Sequence, residues 1–584
     1  MCGIAGSITP KTLPNGDIAL NMIQAISYRG PDEIGAKVIG PCALSHARLA
    51  IVDKENGGQP MSNHDETVWV VFNGEIFNFI ELREELKAKG YIFKSRCDTE
   101  VLVHLWREKG EQMLEDLVGM FAFCLWDDEQ QRGIIARDRQ GIKPCYYWRD
   151  GNQLLFASEI KAILACPQVN NVVKPSSLGL MHAFNYCPPP QTCYENIYHL
   201  EPGHYISFDN HGNYRFTRYW EWPLLASQEN LSFDEFDNML DESIRLQMRF
   251  DVDGALFLSG GVDSSIIAHK LIQQWNRPRL LAYALDCDVP GFGEFSLAKT
   301  VADRLNIDLQ PVRFGPPQVE EKFGEVIYHA DQPHGDFSFI LIKLLCERAN
   351  ADDIIVAFNG DGPDEALIGF GHNEAFFSGQ VRSNFSLTSY FKTIRYMDPV
   401  IANKIFCGPI LNGFNESLDV FEDKLSPWRD LEPLEQISAY ELTSLMPGNN
   451  LIKGDRMGAG ESVEGRSPFL DHRISERFVR LGPSDKLASG IGKKYLKEFG
   501  LRFLPEDHLF RKKSMPTLPI GEWIKGPLAS WARDRLSALP EEYYNREECM
   551  HLLTEHQSGR VNYTRELRTL LASSTWFNGK LFPH

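Results

Sequence analysis

The sequence predicts a chain in two parts. An α+β domain of layered sheets and helices comes first, and an α/β parallel-sheet domain with a largely helical C-terminal part follows. Three observations carry this. A chain of 584 residues is too long for one ordinary core. Up to Ile206 it alternates short β-like runs with turns, as in ETVWVVFNGEI, GMFAFCLWDDE and RGIIARDR. From Phe233 the rhythm changes to strand, turn and helix in succession, the pattern of βαβ units.

The first domain is read as residues 2–206. A helix is predicted over Phe79–Lys89, where Leu82 and Leu86 share a face and Glu85 is spaced to pair with Lys89. Residues 207–232 are polar, aromatic and turn-rich, and read as a linker. The second domain, 233–584, opens with a helix over Phe233–Phe250. GALFLSGG then reads as an apolar strand running into glycines, and SSIIAHKLIQQW as a helix. LLAYALD is a second strand, SLAKTVADRL a helix, and DDIIVAFNGDG a strand entering a polar loop.

Composition narrows the function. Hydrophobic residues at 43% and charged residues at 24% fit an ordinary globular protein. The net charge of −19 opposes general binding to nucleic acid or anionic lipid. The twelve cysteines are scattered with no C-x-x-C spacing, which suits free thiols in a reducing compartment. MCGIAGSITPK lacks the basic and apolar regions of a secretory signal. No apolar run approaches the ~18 residues of a membrane span. The expectation is a cytoplasmic protein without nucleic-acid or membrane partners.

Cys2 follows the initiator Met and precedes Gly3. Removal of Met1 would leave Cys2 with a thiol and a free α-amine, whose ordinary pKa of about 7.7–8.0 suits it to accept the thiol proton. Nucleophile and base would then share one residue. On position alone, an arbitrary cysteine at a frayed end is the commoner reading.

The neighbouring motifs reverse that. MCGIAG, YRGPDE, SHARLAIVD, GGQPM, FNGEIFN, SRCDTE, GMFAFCLWD, RDRQGIKPCYY and FASEIKA occur in this order over Met1–Ala162. Together they closely resemble the class II glutamine amidotransferase domain in the form found in asparagine synthetases, which implies an Ntn-hydrolase-like fold. Cleaving an amide through a thioester needs donors for a tetrahedral oxyanion. The resemblance gives that role to Asn73 and Gly74. It also implies that Arg48 clamps the α-carboxylate of glutamine, with Glu75 and Asp98 receiving its α-ammonium.

In the second domain, Ser259-Gly260-Gly261-Val262-Asp263-Ser264 lies between an apolar strand and a helix. Backbone N–H groups of such a loop can wrap a phosphate, helped by the helix N-terminus and the Ser259 and Ser264 hydroxyls. The loop is neither G-x-x-x-x-G-K-[ST] nor G-x-G-x-x-G, so an ordinary ATPase loop and a dinucleotide site lack support. It resembles the pyrophosphate loop of ATP pyrophosphatases, which split ATP to AMP and pyrophosphate. FNGDGPDEALIGF, GDRMGAGESVEGRSPFLDHRI, GKKYLKE and FRKKSMPTLPIGEW resemble the synthetase domain of asparagine synthetases. The resemblance implies that Gly360 joins the ATP site, that Asp361 and Lys494 are catalytic, and that Asp263 and Asp364 hold Mg²⁺. It departs from the usual pattern at Pro363, Ala366, Ile368, Gly458, Gly460, Glu461 and Gly465, positions expected near the acyl acceptor. The implied substrates are glutamine, ATP and a carboxylic acid, aspartate first, with another carboxylate such as a sugar acid or natural-product intermediate as the alternative. A homodimer is typical of the resemblance.

Overall fold

The computed structural model describes residues 1–10, 14–379, 385–511 and 518–579. The first half carries twelve strands: β1 (Gly3–Ile8), β2 (Glu33–Ile39), β3 (Cys42–Arg48), β4 (Met61–Ser62), β5 (Val68–Ile76), β6 (Gly119–Asp127), β7 (Arg132–Arg137), β8 (Tyr146–Asp150), β9 (Gln153–Ala157), β10 (Ile197–His199), β11 (His204–Asp209) and β12 (Tyr214–Arg218). They form two six-stranded sheets, ordered β10-β8-β9-β1-β3-β2 and β12-β11-β7-β6-β5-β4.

The sheets stack because their central strands are apolar on both faces. Ile4, Ile8 and Leu44 of the first sheet meet Val71, Cys124 and Ile135 of the second in one buried cluster. The other face of the second sheet, with Val70, Phe72 and Phe123, packs on Leu82, Leu86, Leu102 and Trp106 from two helices, Phe79–Ala88 and Glu100–Lys109. The other face of the first sheet joins a core continuous with the second domain. The result is the layered α+β domain that the sequence predicts.

The second half contains a five-stranded parallel sheet ordered β15-β14-β13-β16-β17, from β13 (Gly254–Phe257), β14 (Leu281–Asp286), β15 (Asp308–Arg313), β16 (Val356–Phe358) and β17 (Glu464–Arg466). Strand β13 pairs with β14 on one side and β16 on the other, so the chain order reverses at β13. Ligands of open parallel sheets collect at such a switch point, beyond the carboxyl ends of the strands. Beyond β16 the described residues are mostly helical.

Three sequence expectations need correction. The first domain does not end at 206, because β11 and β12 extend its second sheet to Arg218. Strand β12, YRFTR, is an edge strand exposed on much of its surface, so its polar and aromatic residues read as a linker. Lys89 caps its helix and pairs with Glu108 at 2.6 Å rather than with Glu85. The helix begun at Phe233 ends at Gln247. Helices within residues 409–425 grip the first domain. Helices Pro175–Phe184 and Pro409–Asn415 cross at Gly179 and Gly413, where added Cβ atoms would lie 2.2 Å and 2.0 Å from the opposing backbone. All twelve cysteines are free thiols, and no helix among the described residues is long and apolar enough to cross a membrane.

Candidate active site

Cys2 leads into β1, whose register sets Gly3 opposite Ala47 and so brings Cys2 beside Arg48 and Leu49. The Leu49 N–H donates to Cys2 Sγ at 3.4 Å, and the thiol donates to the Leu49 carbonyl at 3.7 Å. Arg29 Nε donates to the Cys2 carbonyl at 2.8 Å. Burial pushes the Cys2 thiol up, and it pushes the Met1 α-amine down to about 5. Met1 is buried against Gly458, where an added Cβ would lie 2.7 Å from Met1 Cε.

Across the stacked sheets, a 3.1 Å contact between His46 Nε2 and the Phe72 carbonyl ties β3 to β5 just before Asn73. Asn73 and Glu75 alternate with Gly74 along β5. The Asn73 carboxamide is fully buried, and neither its N nor its O has a protein partner. A buried amide with neither end satisfied fits a donor kept for a ligand. An added Cβ on Gly74 would lie 2.0 Å from the Met120 carbonyl, so only glycine fits there. Asp98 accepts from the Ile76 N–H at 2.9 Å, which sets it beside Glu75. Burial pushes both carboxyls up, and Asp98 raises Glu75 further. Arg48 is buried, with its guanidinium donating to the Lys54 and Asp53 carbonyls, each at 2.8 Å. In this arrangement the fork orders the 52–54 loop.

The second site lies where the β13 and β16 loops meet. Gly260 takes a left-handed φ of 70° and passes so close to Leu297 that an added Cβ would lie 2.5 Å from its backbone. Ser259 and Ser264 hydroxyls lie 2.9 Å apart, and the Gly261 N–H donates to Ser259 Oγ at 3.1 Å. This ties the loop into a turn at the N-terminus of helix Val262–Gln274. Gly360 lets the second loop approach the first, since an added Cβ would lie 2.8 Å from the Ser264 nitrogen. Both loops face one cavity of about 480 Å³. Asp361 lines it, within a recess enclosed by the surrounding chain. Burial, aided by Asp364 and Asp263 and opposed by Lys453, pushes its carboxyl up to about 6.

Lys493, not Lys494, lines this cavity beside the two carboxylates. Its Nζ lies 2.5 Å from Asp263 and 2.9 Å from Asp364. The two carboxylates outweigh the cost of burying the ammonium and raise its pKa. Lys494 turns outward, 3.5 Å from Glu498, with about a third of its side chain exposed. The cause is local. Lys493 caps helix Lys494–Gly500 in the left-handed conformation, φ 52°, which turns its side chain inward. Gly369 leaves room for the triad, since an added Cβ would lie 2.1 Å from Asp364 and 2.6 Å from Lys493. The departures from the family pattern also divide. Gly458 and Gly465 line the cavity. Gly460 instead packs on His329, and Glu461 pairs with Lys343. Lys512–Thr517 of the FRKKSMPTLPIGEW segment lie outside the described residues.

Between the sites runs a buried charged layer that the sequence does not reveal. Arg29 bonds Glu159 at 2.7 Å and Asp455 at 2.9 Å. Arg456 lies 2.9 Å from Glu159 and 3.0 Å from Asp331, and Lys161 lies 2.7 Å from Asp331. Three cations and three carboxylates thus offset one another across the domain boundary. Arg466 also crosses the boundary, bonded to Glu75 at 2.9 Å.

A cysteine that leads into β1, an unsatisfied buried amide on β5 and, in the second half, a glycine-rich loop with two convergent carboxylates together fit a glutamine amidotransferase domain coupled to a synthetase domain. The comparisons agree. A family described as a glutamine amidotransferase domain matches residues 1–220, and asparagine synthase matches residues 235–578. The chain belongs to the asparagine synthase family. It is 29% identical over 614 residues to asparagine synthetase [glutamine-hydrolyzing] 1 of Bacillus subtilis, covering 99% of this chain and 96% of that one. It is also 29% identical over 621 residues to asparagine synthetase [glutamine-hydrolyzing] 3 of Bacillus subtilis, covering 99% and 98%. Amidase chry2 of Gibberella zeae is 26% identical over 620 residues, covering 90% of each chain.

Proposed function

We propose that the protein hydrolyses glutamine at Cys2 and uses the ammonia to amidate aspartate through an acyl-adenylate made from ATP, releasing AMP and pyrophosphate. The observation that carries the reading is the meeting of Asp263, Asp364 and Lys493 at the mouth of the Ser259–Ser264 loop.

Once Met1 is removed, the Cys2 α-amine takes the thiol proton and Sγ attacks the glutamine amide carbon. Asn73 and the Gly74 N–H donate to the oxyanion, and the amine returns the proton to the departing ammonia. Arg48 and the carboxylates of Glu75 and Asp98 hold the amino-acid end of glutamine. In the second site, the Ser259, Gly260, Gly261 and Ser264 donors face the phosphates, and Lys493 steadies pyrophosphate as charge grows on it. Asp263 and Asp364 suit Mg²⁺, because both are hard oxygen donors that already converge on a single cationic nitrogen. Bound there, Mg²⁺ would offset the triphosphate charge.

A second reading has its own support. The cavity continues past the ATP loops to Tyr186, Tyr390, Tyr440 and Arg565, a wall suited to an acceptor larger than aspartate. The test is pyrophosphate release with ATP, Mg²⁺ and ammonium across a panel of acids. Aspartate should give the highest kcat/KM. A sugar acid or aromatic acid that exceeds it by about tenfold or more would transfer the assignment to the larger acceptor.

A further inference from the structure

We infer that Arg466 is a positioning residue for glutamine, holding the Glu75 carboxylate in place for the α-ammonium from the far side of the domain boundary. The inference rests on the proposed glutaminase reading. Arg466 belongs to β17, an edge strand of the synthetase sheet, and is fully buried. Its guanidinium divides three ways. Nη2 donates to Glu75 Oε2 at 2.9 Å, Nε to Glu464 Oε1 at 2.9 Å, and Nη1 to the Gln247 carbonyl at 3.0 Å. Three fixed acceptors leave the planar fork one orientation. The second Glu75 oxygen, Oε1, is buried without a protein partner. One carboxylate oxygen is therefore anchored, and the other is left for a cationic ligand.

Charge supports the same role. Glu75 faces Asp98 and Glu464, which oppose its ionisation, and Arg466 and Lys143, which favour it. Burial and the two carboxylates push the Glu75 carboxyl up, and Arg466 is the stronger of the two cations acting against them. Without Arg466 the carboxyl would rise further, and a protonated Glu75 has little attraction for an ammonium. Arg466 also reaches the ATP loop, since its carbonyl accepts the Asn359 N–H at 2.9 Å. The glutamine site is thus completed by a strand whose neighbour, β16, carries Gly360, Asp361 and Asp364 at its end.

The experiment measures glutamate release from glutamine in the full-length protein between about pH 5.5 and 9, for the wild type, Arg466→Gln and Arg466→Lys. Arg466→Gln should raise KM for glutamine about tenfold near neutral pH while changing kcat less than about threefold. Its acid limb of kcat/KM should move to higher pH. Arg466→Lys keeps the charge without the fork, so its limb should move the same way by less, and this variant carries the test if the first does not fold. Wild-type KM and an unmoved limb in a folded variant would overturn the inference, as would a fall in kcat alone with the limb in place. A wild type that releases no glutamate would overturn the parent reading as well, which distinguishes the two failures.

Discussion

Lys493→Ala should lower ATP-dependent pyrophosphate release by about 10²–10³-fold, the usual cost of deleting a donor to developing charge in a closed site. Lys494→Ala should stay within about twofold of wild type, as surface substitutions do. Lys493 lies within 3 Å of both Asp263 and Asp364, whereas Lys494 lies 3.5 Å from Glu498 on its own helix. Removing the Lys493 ammonium leaves two carboxylates facing each other in a cavity that must also accept a triphosphate. The measurement is pyrophosphate release with ammonium as nitrogen source, so that the glutaminase site does not enter. A larger loss in Lys494→Ala than in Lys493→Ala would restore the sequence assignment and contradict the structural one.

Cys2→Ala should reduce glutamine-dependent amide formation to background and leave the ammonia-dependent reaction running. The β1–β3 register brings Cys2 beside Arg48. Alanine keeps the backbone, so Arg29 retains its bond to the residue 2 carbonyl, and the layer linking the domains is not disturbed. The assay compares amide yield with glutamine and with ammonium chloride. Glutamine-dependent yield that survives in the variant would remove Cys2 from the mechanism.

Much of this architecture was legible in the sequence because apolar spacing and loop chemistry are local. The βαβ rhythm predicted a parallel sheet, and β13 and β16 both end in the glycine-rich and acidic loops read from SGGVDS and GDGPDE. What was not legible depends on backbone sign or on distance along the chain. Lys493 and Lys494 are neighbours of identical chemistry, and only a left-handed φ at the first decides which enters the cavity. The left-handed position itself holds a lysine, and the adjacent glycine sits one residue earlier at 492. Glu75 and Arg466 are 391 residues apart, so nothing local pairs them. The same holds for Arg29 and Asp455, 426 residues apart. The end of the first domain was missed because β12 lies at a sheet edge and need not be apolar.

The central claim is that two chemically distinct sites make one amide together. Incubation with ATP, Mg²⁺, aspartate and glutamine labelled with ¹⁵N in its amide tests it most directly, with mass spectrometry of the amino acids and chromatography of the nucleotides. The account predicts ¹⁵N-labelled asparagine, glutamate, AMP and pyrophosphate in equal amounts. Stoichiometric ADP, or glutamate release with no labelled amide from aspartate or any other acid supplied, would contradict it.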